Sequence, residues 1–300
     1  RRFTHYDYWQ DRLMKSILVD SKADVLVYGM GEQPMTALCK AMQARLQESG
    51  DEHITADVAR EITKDIRQTG YLACKSDVAF DETHDRQLAP HAVCLKEKAK
   101  QAANFLAIEK ESNKVSAKRL MQEYDEGVVV INPPFPTMTT EQLDHSFDLP
   151  YTRLPHPKYN GKRIPAYDMI KHSVNIHRGC FGGCAFCTIS AHQGKFIVNR
   201  SEESILREIK EIAKMDDFKG YLSDLGGPSA NMYAMKGRDQ ELCGKCKRPS
   251  CIHPRICPNL NADPRPLLDI YKAVDALPGI KKSFIGSGVR YDMLLHDYKD

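Results

Sequence analysis

The sequence predicts an α/β fold, from one alternation that recurs along the chain. A short apolar run is followed by a glycine turn and then by a helix whose apolar residues lie three and four apart. Residues 24–28 (Asp-Val-Leu-Val-Tyr) have the composition of a buried strand and stop at Gly29-Met30-Gly31-Glu32. Pro34 suits the first turn of a helix, and Met35, Leu38, Cys39, Met42 and Leu46 keep helical spacing to Gly50. In the second half, residues 172–177, 221–225 and 283–287 read as strands. Ser201 caps a helix with Ile205, Ile209 and Ile212 as its buried stripe, and Leu267, Leu268, Tyr271 and Val274 mark another. Repeated in this way, strand, loop and helix predict a parallel sheet or barrel with its site at the carboxyl ends of the strands. Three such units precede residue 300, so a closed eight-fold barrel is not expected.

The elements between these follow the same logic. Val58, Ile62 and Ile66 make a second helix stopping near Gly70, and residues 90–123, rich in Lys, Glu and Ala, have helical character. Residues 127–132 form a short strand stopped by Pro133 and Pro134. Thr139 and Gln142 have capping-box spacing. Four prolines between 148 and 166 make a linker, and a domain boundary is expected there. Phe3, Tyr6, Tyr8 and Trp9 open the chain as core or interface residues, with a stacking platform as the alternative.

Three hundred residues suit two domains, and 42% hydrophobic with 28% charged residues is the composition of a globular protein. No run approaches the ~18 apolar residues of a membrane span, and the opening Arg1-Arg2-Phe3-Thr4 carries no signal-peptide core. A net charge of +3 is too balanced to indicate a nucleic-acid or membrane partner. Ten cysteines are the informative count. A chain of this size needs no disulfides, so an intracellular, cytoplasmic location and metal ligation are the first expectations.

Three of the cysteines lie in His177-Arg-Gly-Cys180-Phe-Gly-Gly-Cys184-Ala-Phe-Cys187. Three thiolates on one tight loop can each hold a different iron of a 4Fe–4S cluster, leaving one iron open to an external ligand. Residues 177–200 hold three basic residues and no Asp or Glu, which suits an anionic cluster. The alternative is zinc held by the same cysteines and a remote fourth ligand such as His177 or His192.

These residues carry a resemblance. The Cys180, Cys184, Cys187 spacing, with Phe186 before the last Cys, resembles the signature loop of the radical SAM superfamily. Ser173-Val-Asn-Ile-His-Arg-Gly-Cys-Phe-Gly-Gly-Cys, Ser223-Asp-Leu-Gly-Gly-Pro and Ser287-Gly-Val-Arg-Tyr-Asp292 resemble its YgiQ-type family, as do Ile164-Pro-Ala-Tyr167 and Val19-Asp-Ser-Lys-Ala-Asp24. The resemblance implies an internal piece of a longer protein. Residues 1–80 would end a Rossmann-like, cobalamin-domain-like N-terminal domain, and 81–165 would form a helical connector with a Pro-rich linker. Residues 166–300 would start a radical SAM (β/α) partial barrel with a Cys-rich insertion at 226–264. It implies a cluster on Cys180, Cys184 and Cys187 whose open iron takes S-adenosylmethionine, reductively cleaved to a 5′-deoxyadenosyl radical that abstracts hydrogen from an unidentified substrate. A reductant such as flavodoxin or ferredoxin would supply the electron. Phe186 would lie against the adenine, and Gly226-Gly227 stand where the superfamily has a Gly-Gly-Glu for the methionyl amino group, with Pro228 replacing the acid. Ser287 and Arg290 would meet the methionine carboxylate or ribose, or simply shape their loop. Gly29-Met-Gly-Glu32 resembles a cobalamin-domain loop, but no Asp-x-His-x-x-Gly motif accompanies it, so cobalamin is not expected.

A second group, Cys243, Cys246, Cys251 and Cys257, lies in the long segment 226–264 with five prolines. So long a loop calls for an organiser, and structural zinc (with His253 as an alternative ligand) or an auxiliary cluster would serve, against unrelated free thiols. No residue stands out as catalytic. Besides the radical enzyme, an iron–sulfur electron-transfer or sensing protein and a zinc-stabilised binding module remain open readings.

Overall fold

A computed structural model describes residues 1–297; residues 298–300, the end of the second expected domain, lie outside the described residues. The chain divides into two compact units, Arg1–Pro136 with Glu241–Pro249, and Thr137–Gln240 with Ser250–Asp300.

The first unit opens with a hairpin, β1 (His5–Asp7) and β2 (Arg12–Met14), followed by α1 (Ile17–Ser21) and β3 (Leu26–Val27). Next come α2 (Glu32–Ser49), α3 (Ala56–Thr63), β4 (Thr69–Ala73), β5 (Asp85–Gln87), α4 (His91–Lys96), α5 (Lys98–Ser112), β6 (Arg119–Tyr124) and β7 (Gly127–Ile131). The sheet order is β3-β4-β7-β6-β5, antiparallel except for the β5–β6 pair. That pairing differs from the all-parallel sheet of a Rossmann-like domain, because β6 and β7 form a tight hairpin, Tyr124 opposite Gly127. Phe3, Leu18, Leu88, Ala107, Leu120, Val129 and Ile131 form the core.

Pro34 lies in the first turn of α2, and Gly50 ends that helix in the left-handed conformation. The apolar run at 24–28 is only a two-residue edge strand. The helical character expected across 90–123 ends at Ser112, and Arg119–Tyr124 is a strand. Its burial is almost continuous, because both its faces are covered, Leu120 and Tyr124 by one core cluster and Met121 by another, so no period of two was there to read. Strands β5, β6 and β7 thus fall within 81–165, where a helical connector is expected. Phe3 joins the core, whereas Tyr8 and Trp9 are exposed.

The second unit begins with α6 (Thr140–Phe147), whose capping box pairs Thr139 and Gln142 as their spacing predicts. There follow α7 (Pro165–Ile170), β8 (Ser173–Asn175), β9 (His177–Arg178), α8 (Ile189–Gln193), β10 (Val198–Asn199), α9 (Glu202–Ala213), β11 (Tyr221–Leu222) and β12 (Asp224–Gly226). The described chain ends with β13 (Lys236–Gly237), α10 (Gln240–Lys245, all but its first residue in the first unit), β14 (Leu260–Asn261), α11 (Arg265–Asp275), β15 (Lys282–Ser283) and α12 (Tyr291–Asp297). Strand β12 runs parallel to β8, Gly226 opposite Asn175, and β11 parallel to β15. No sheet closes into a barrel among the described residues.

Ser201 caps α9, and Ile205, Ile209 and Ile212 are fully buried against Val174, Leu222 and Leu225. Leu267, Ile270 and Val274 of α11 complete this core, while Leu268 is exposed. Each large aliphatic side chain buried there contributes about 1.5–3 kcal/mol. The resulting slab fixes the strand ends from which the cysteine loop departs. No described helix is long and apolar enough to cross a membrane.

Candidate functional site

Strand β8 runs through Ile176 into β9, and the cysteine loop leaves from there. Its neck is closed by the antiparallel β9–β10 pair, Val198 opposite Arg178 and Asn199 opposite His177. The Gly179 N–H donates to Gln193 Oε1 at 2.9 Å and the Cys180 N–H to the Gly194 carbonyl at 3.0 Å. Gly179 has φ +89°, and a Cβ there would lie 2.3 Å from the Phe196 carbonyl oxygen, so only glycine fits the neck.

Cys180, Cys184 and Cys187 are free thiols of intermediate exposure. The Gly182 N–H donates to Cys180 Sγ at 3.4 Å. A Cβ at Gly182 would lie 3.3 Å from Cys180 Sγ and 3.6 Å from Cys184 Sγ, so two sulfurs flank one bare stretch of backbone. Burial pushes the Cys180 thiol up, and the neighbouring Cys184 and Cys187 push the same way, against the Gly182 N–H and Arg290. Cys187 follows a turn in which its N–H donates to the Cys184 carbonyl at 3.0 Å. Among the described residues no three His, Cys, Asp or Glu side chains are placed to share one ion.

The loop rests on a floor the sequence did not reveal. Phe181 is buried among Met232, Met235, Ile252, Leu260, Ala262 and Met293, with Cys180, Cys251 and Cys257 packed against the same cluster. Ser250 Oγ donates to the Gly182 carbonyl at 2.8 Å and the Cys251 N–H to the Phe181 carbonyl at 3.0 Å. The downstream part of the Cys-rich segment therefore supports the signature loop directly. Cys243 and Cys246 belong to the other compact unit, their turn closed by a Cys246 N–H to Cys243 carbonyl bond.

The remaining expected site residues fall into two places. Phe186 is 91% exposed, its ring available to a ligand. Gly226 ends β12 and Gly227 follows it, both in close contact with their neighbours. A Cβ at Gly226 would lie 2.1 Å from Ser287 Oγ, and one at Gly227 2.5 Å from His177 Cε1. Ser287 does not stand alone: Asp224 Oδ1 accepts from its N–H and its hydroxyl, both at 3.1 Å, and from the Gly286 N–H at 2.8 Å. Asp224 thus shapes the loop after β15, a role its place in Ser-Asp-Leu-Gly-Gly hints at only in retrospect. Arg290 reaches the cysteine loop itself, its Nη1 donating to Cys184 Sγ at 3.3 Å.

The buried polar atoms at the same strand ends are telling. His177 is fully buried with neither ring nitrogen hydrogen-bonded, and Asn175 Oδ1 is also without a partner. Each such group costs about 1–3 kcal/mol, which natural folds tolerate mainly where function uses it. Free thiols on an acid-free loop, backbone too close for any Cβ and orphaned polar atoms at the Gly-Gly turn fit a cluster with a polar small-molecule ligand.

Burial alone lowers the His177 pKa from 6.5 to about 4. Between those values the unfolded chain binds a proton that the folded chain does not, so stability falls as pH drops through this window. We expect wild-type protein to lose about 2 kcal/mol more than His177→Leu between pH 7 and pH 5. Urea unfolding at the two pH values measures it, and equal losses would show that His177 protonates freely in the fold.

The family model described as "Radical SAM N-terminal" matches residues 1–173. The chain is 66% identical over 300 residues to a UPF0313 protein of Bacteroides thetaiotaomicron, covering all of this chain and 48% of that protein. A UPF0313 protein of Porphyromonas gingivalis is 59% identical, with all of this chain and 45% of the relative covered. One of Pseudomonas syringae pv. tomato is 38% identical over 339 residues, covering 98% and 44%. The chain therefore spans under half the length of these curated relatives. No solved structure matches it. With a family match over more than half its residues, and UPF0313 relatives aligned along its whole length, the chain belongs to the radical SAM N-terminal family, in the YgiQ-type group.

Proposed function

We propose that this chain is part of a radical SAM enzyme in which Cys180, Cys184 and Cys187 hold a 4Fe–4S cluster and the Gly226-Gly227 turn, Ser287 and Phe186 receive S-adenosylmethionine. The observation that carries this reading is one acid-free glycine loop bearing three free thiols, at the carboxyl end of parallel strands. When bound, the cluster and S-adenosylmethionine supply one electron and a 5′-deoxyadenosyl radical for hydrogen abstraction.

The protein's own part is placement. Phe181 anchors the loop in an apolar floor, with Cys180 packed against its edge. The bare Gly226-Gly227 backbone lets Ser287 and His177 close in on the strand end, and Asp224 holds the Ser287 hydroxyl and N–H in one arrangement beside it. With Pro228 where an acid would stand, the neutral His177 imidazole and Asn175 Oδ1 are the polar atoms at hand for an amino group. Phe186 presents an open ring face to a base. On this reading the second unit contributes the first strands of a partial barrel, and the electron comes from a cytoplasmic flavodoxin or ferredoxin. The substrate would be met by residues beyond this chain. The test is electron paramagnetic resonance of the reduced full-length protein, whose cluster signal must change on adding S-adenosylmethionine.

A further inference from the structure

Arg290 lies over a hundred residues from the cysteine loop in sequence, yet its guanidinium touches that loop. Nη1 is 3.3 Å from Cys184 Sγ and 3.4 Å from the point where a Gly182 Cβ would stand, itself 3.3 Å from Cys180 Sγ. The cation therefore sits beside the place where two of the three thiols converge. Its position is built. Asp292 holds the other edge of the fork, through Nε at 3.1 Å and Nη2 at 2.6 Å. Asn231, 3% exposed, grips the Arg290 backbone from both sides, accepting from its N–H at 2.8 Å and donating to its carbonyl at 2.9 Å. One edge of the guanidinium is thus committed to Asp292 and the backbone to Asn231, and Nη1 is left for sulfur.

We propose that Arg290 is the residue that sets the reduction potential of the cluster, by donating an N–H to the Cys184 sulfur and placing a positive charge beside it. This rests on the cluster assignment above and adds to it a role distinct from contact with S-adenosylmethionine. Reduction adds a negative charge, so a fixed cation and an N–H···S bond favour the reduced state and raise the potential. Asp292 moderates the effect by pairing the same cation.

The test is a redox titration, followed by electron paramagnetic resonance, of reconstituted full-length protein with no nucleotide added. Arg290→Gln is expected to retain the cluster and to lower the reduced-to-oxidised ratio about tenfold at a fixed potential. That is a shift of about 59 mV to more negative values for a one-electron couple. Arg290→Lys, which keeps the charge and loses the fork, is expected to shift less. Asp292→Asn is expected to shift the potential the other way, and it decides the matter if the glutamine variant fails to assemble a cluster. An unchanged potential in Arg290→Gln, with weakened binding of S-adenosylmethionine, would overturn the proposal and assign the arginine to the ligand. A zero or negative shift in Asp292→Asn would overturn it as well. Wild-type protein that assembles no cluster would remove the underlying reading and this proposal with it.

Discussion

Alanine in place of Cys184 is expected to abolish cluster assembly while leaving the protein folded. The side chain is of intermediate exposure and its resolved partner is Arg290, so its loss costs the fold only what a partly exposed polar contact is worth, on the order of 1 kcal/mol. For the cluster the loss is much larger. Each thiolate of a three-cysteine loop holds its own iron, so the loss of one leaves an iron without its protein ligand. Iron and acid-labile sulfide per chain, with the visible absorbance of the reconstituted protein, should fall to background in Cys184→Ala. They should be unchanged in Cys39→Ala, whose thiol is exposed in the other unit. A Cys184→Ala protein with a full iron and sulfide complement would refute the ligand assignment.

The second large effect is on stability. Arg200 is among the most deeply buried large side chains of the second unit, 1% exposed. It pairs with Glu208, donates to the Ser204 hydroxyl and carbonyl and to the Asn175 carbonyl, and lies 4.3 Å from the centre of the Phe147 ring. Arg200→Met removes the cation and leaves a nearly buried carboxylate and the Asn175 carbonyl short of a donor. Breaking one side of a buried pair costs about 3–5 kcal/mol, a large share of the roughly 5–15 kcal/mol that holds a domain folded. Arg153 pairs with the same Glu208 from a more exposed position, so Arg153→Met should cost clearly less. Equal losses in denaturant unfolding would mean that burial of Arg200 is not what makes its network matter. Because Asn175 ends β8, the loss should reach the cysteine loop as a lower yield of assembled cluster.

What the sequence could show followed from period and punctuation. The isoleucine stripe of α9, its Ser201 cap and the Thr139–Gln142 capping box were legible because each is a local pattern with a local cause. So were the strand-end glycines, which stand immediately after apolar runs. Strand β6 was hidden because a strand packed on both faces loses its alternation, and its neighbours upstream are strongly helical. In the candidate site the cysteine spacing announces itself. The groups that hold it do not, because they meet only in space. Asn231 clamps Arg290 across 59 residues, Ser250 reaches Gly182 across 68, and His177 is pressed against Gly227 by a strand pairing that no local pattern encodes. The length of the Cys-rich segment calls for an organiser, with metal or unrelated thiols both open, and what no spacing foretells is that Ser250, Cys251 and Cys257 form the underside of the signature loop.

The central claim is that the loop carries a cluster with one iron open to S-adenosylmethionine. Its most direct test is electron paramagnetic resonance of anaerobically reconstituted, dithionite-reduced full-length protein, recorded before and after adding the nucleotide. The account predicts a reduced 4Fe–4S signal whose shape shifts when S-adenosylmethionine binds the open iron. A signal that stays the same would mean a fully ligated cluster and favour electron transfer or sensing. Zinc in place of iron, with no signal at all, would contradict the account outright.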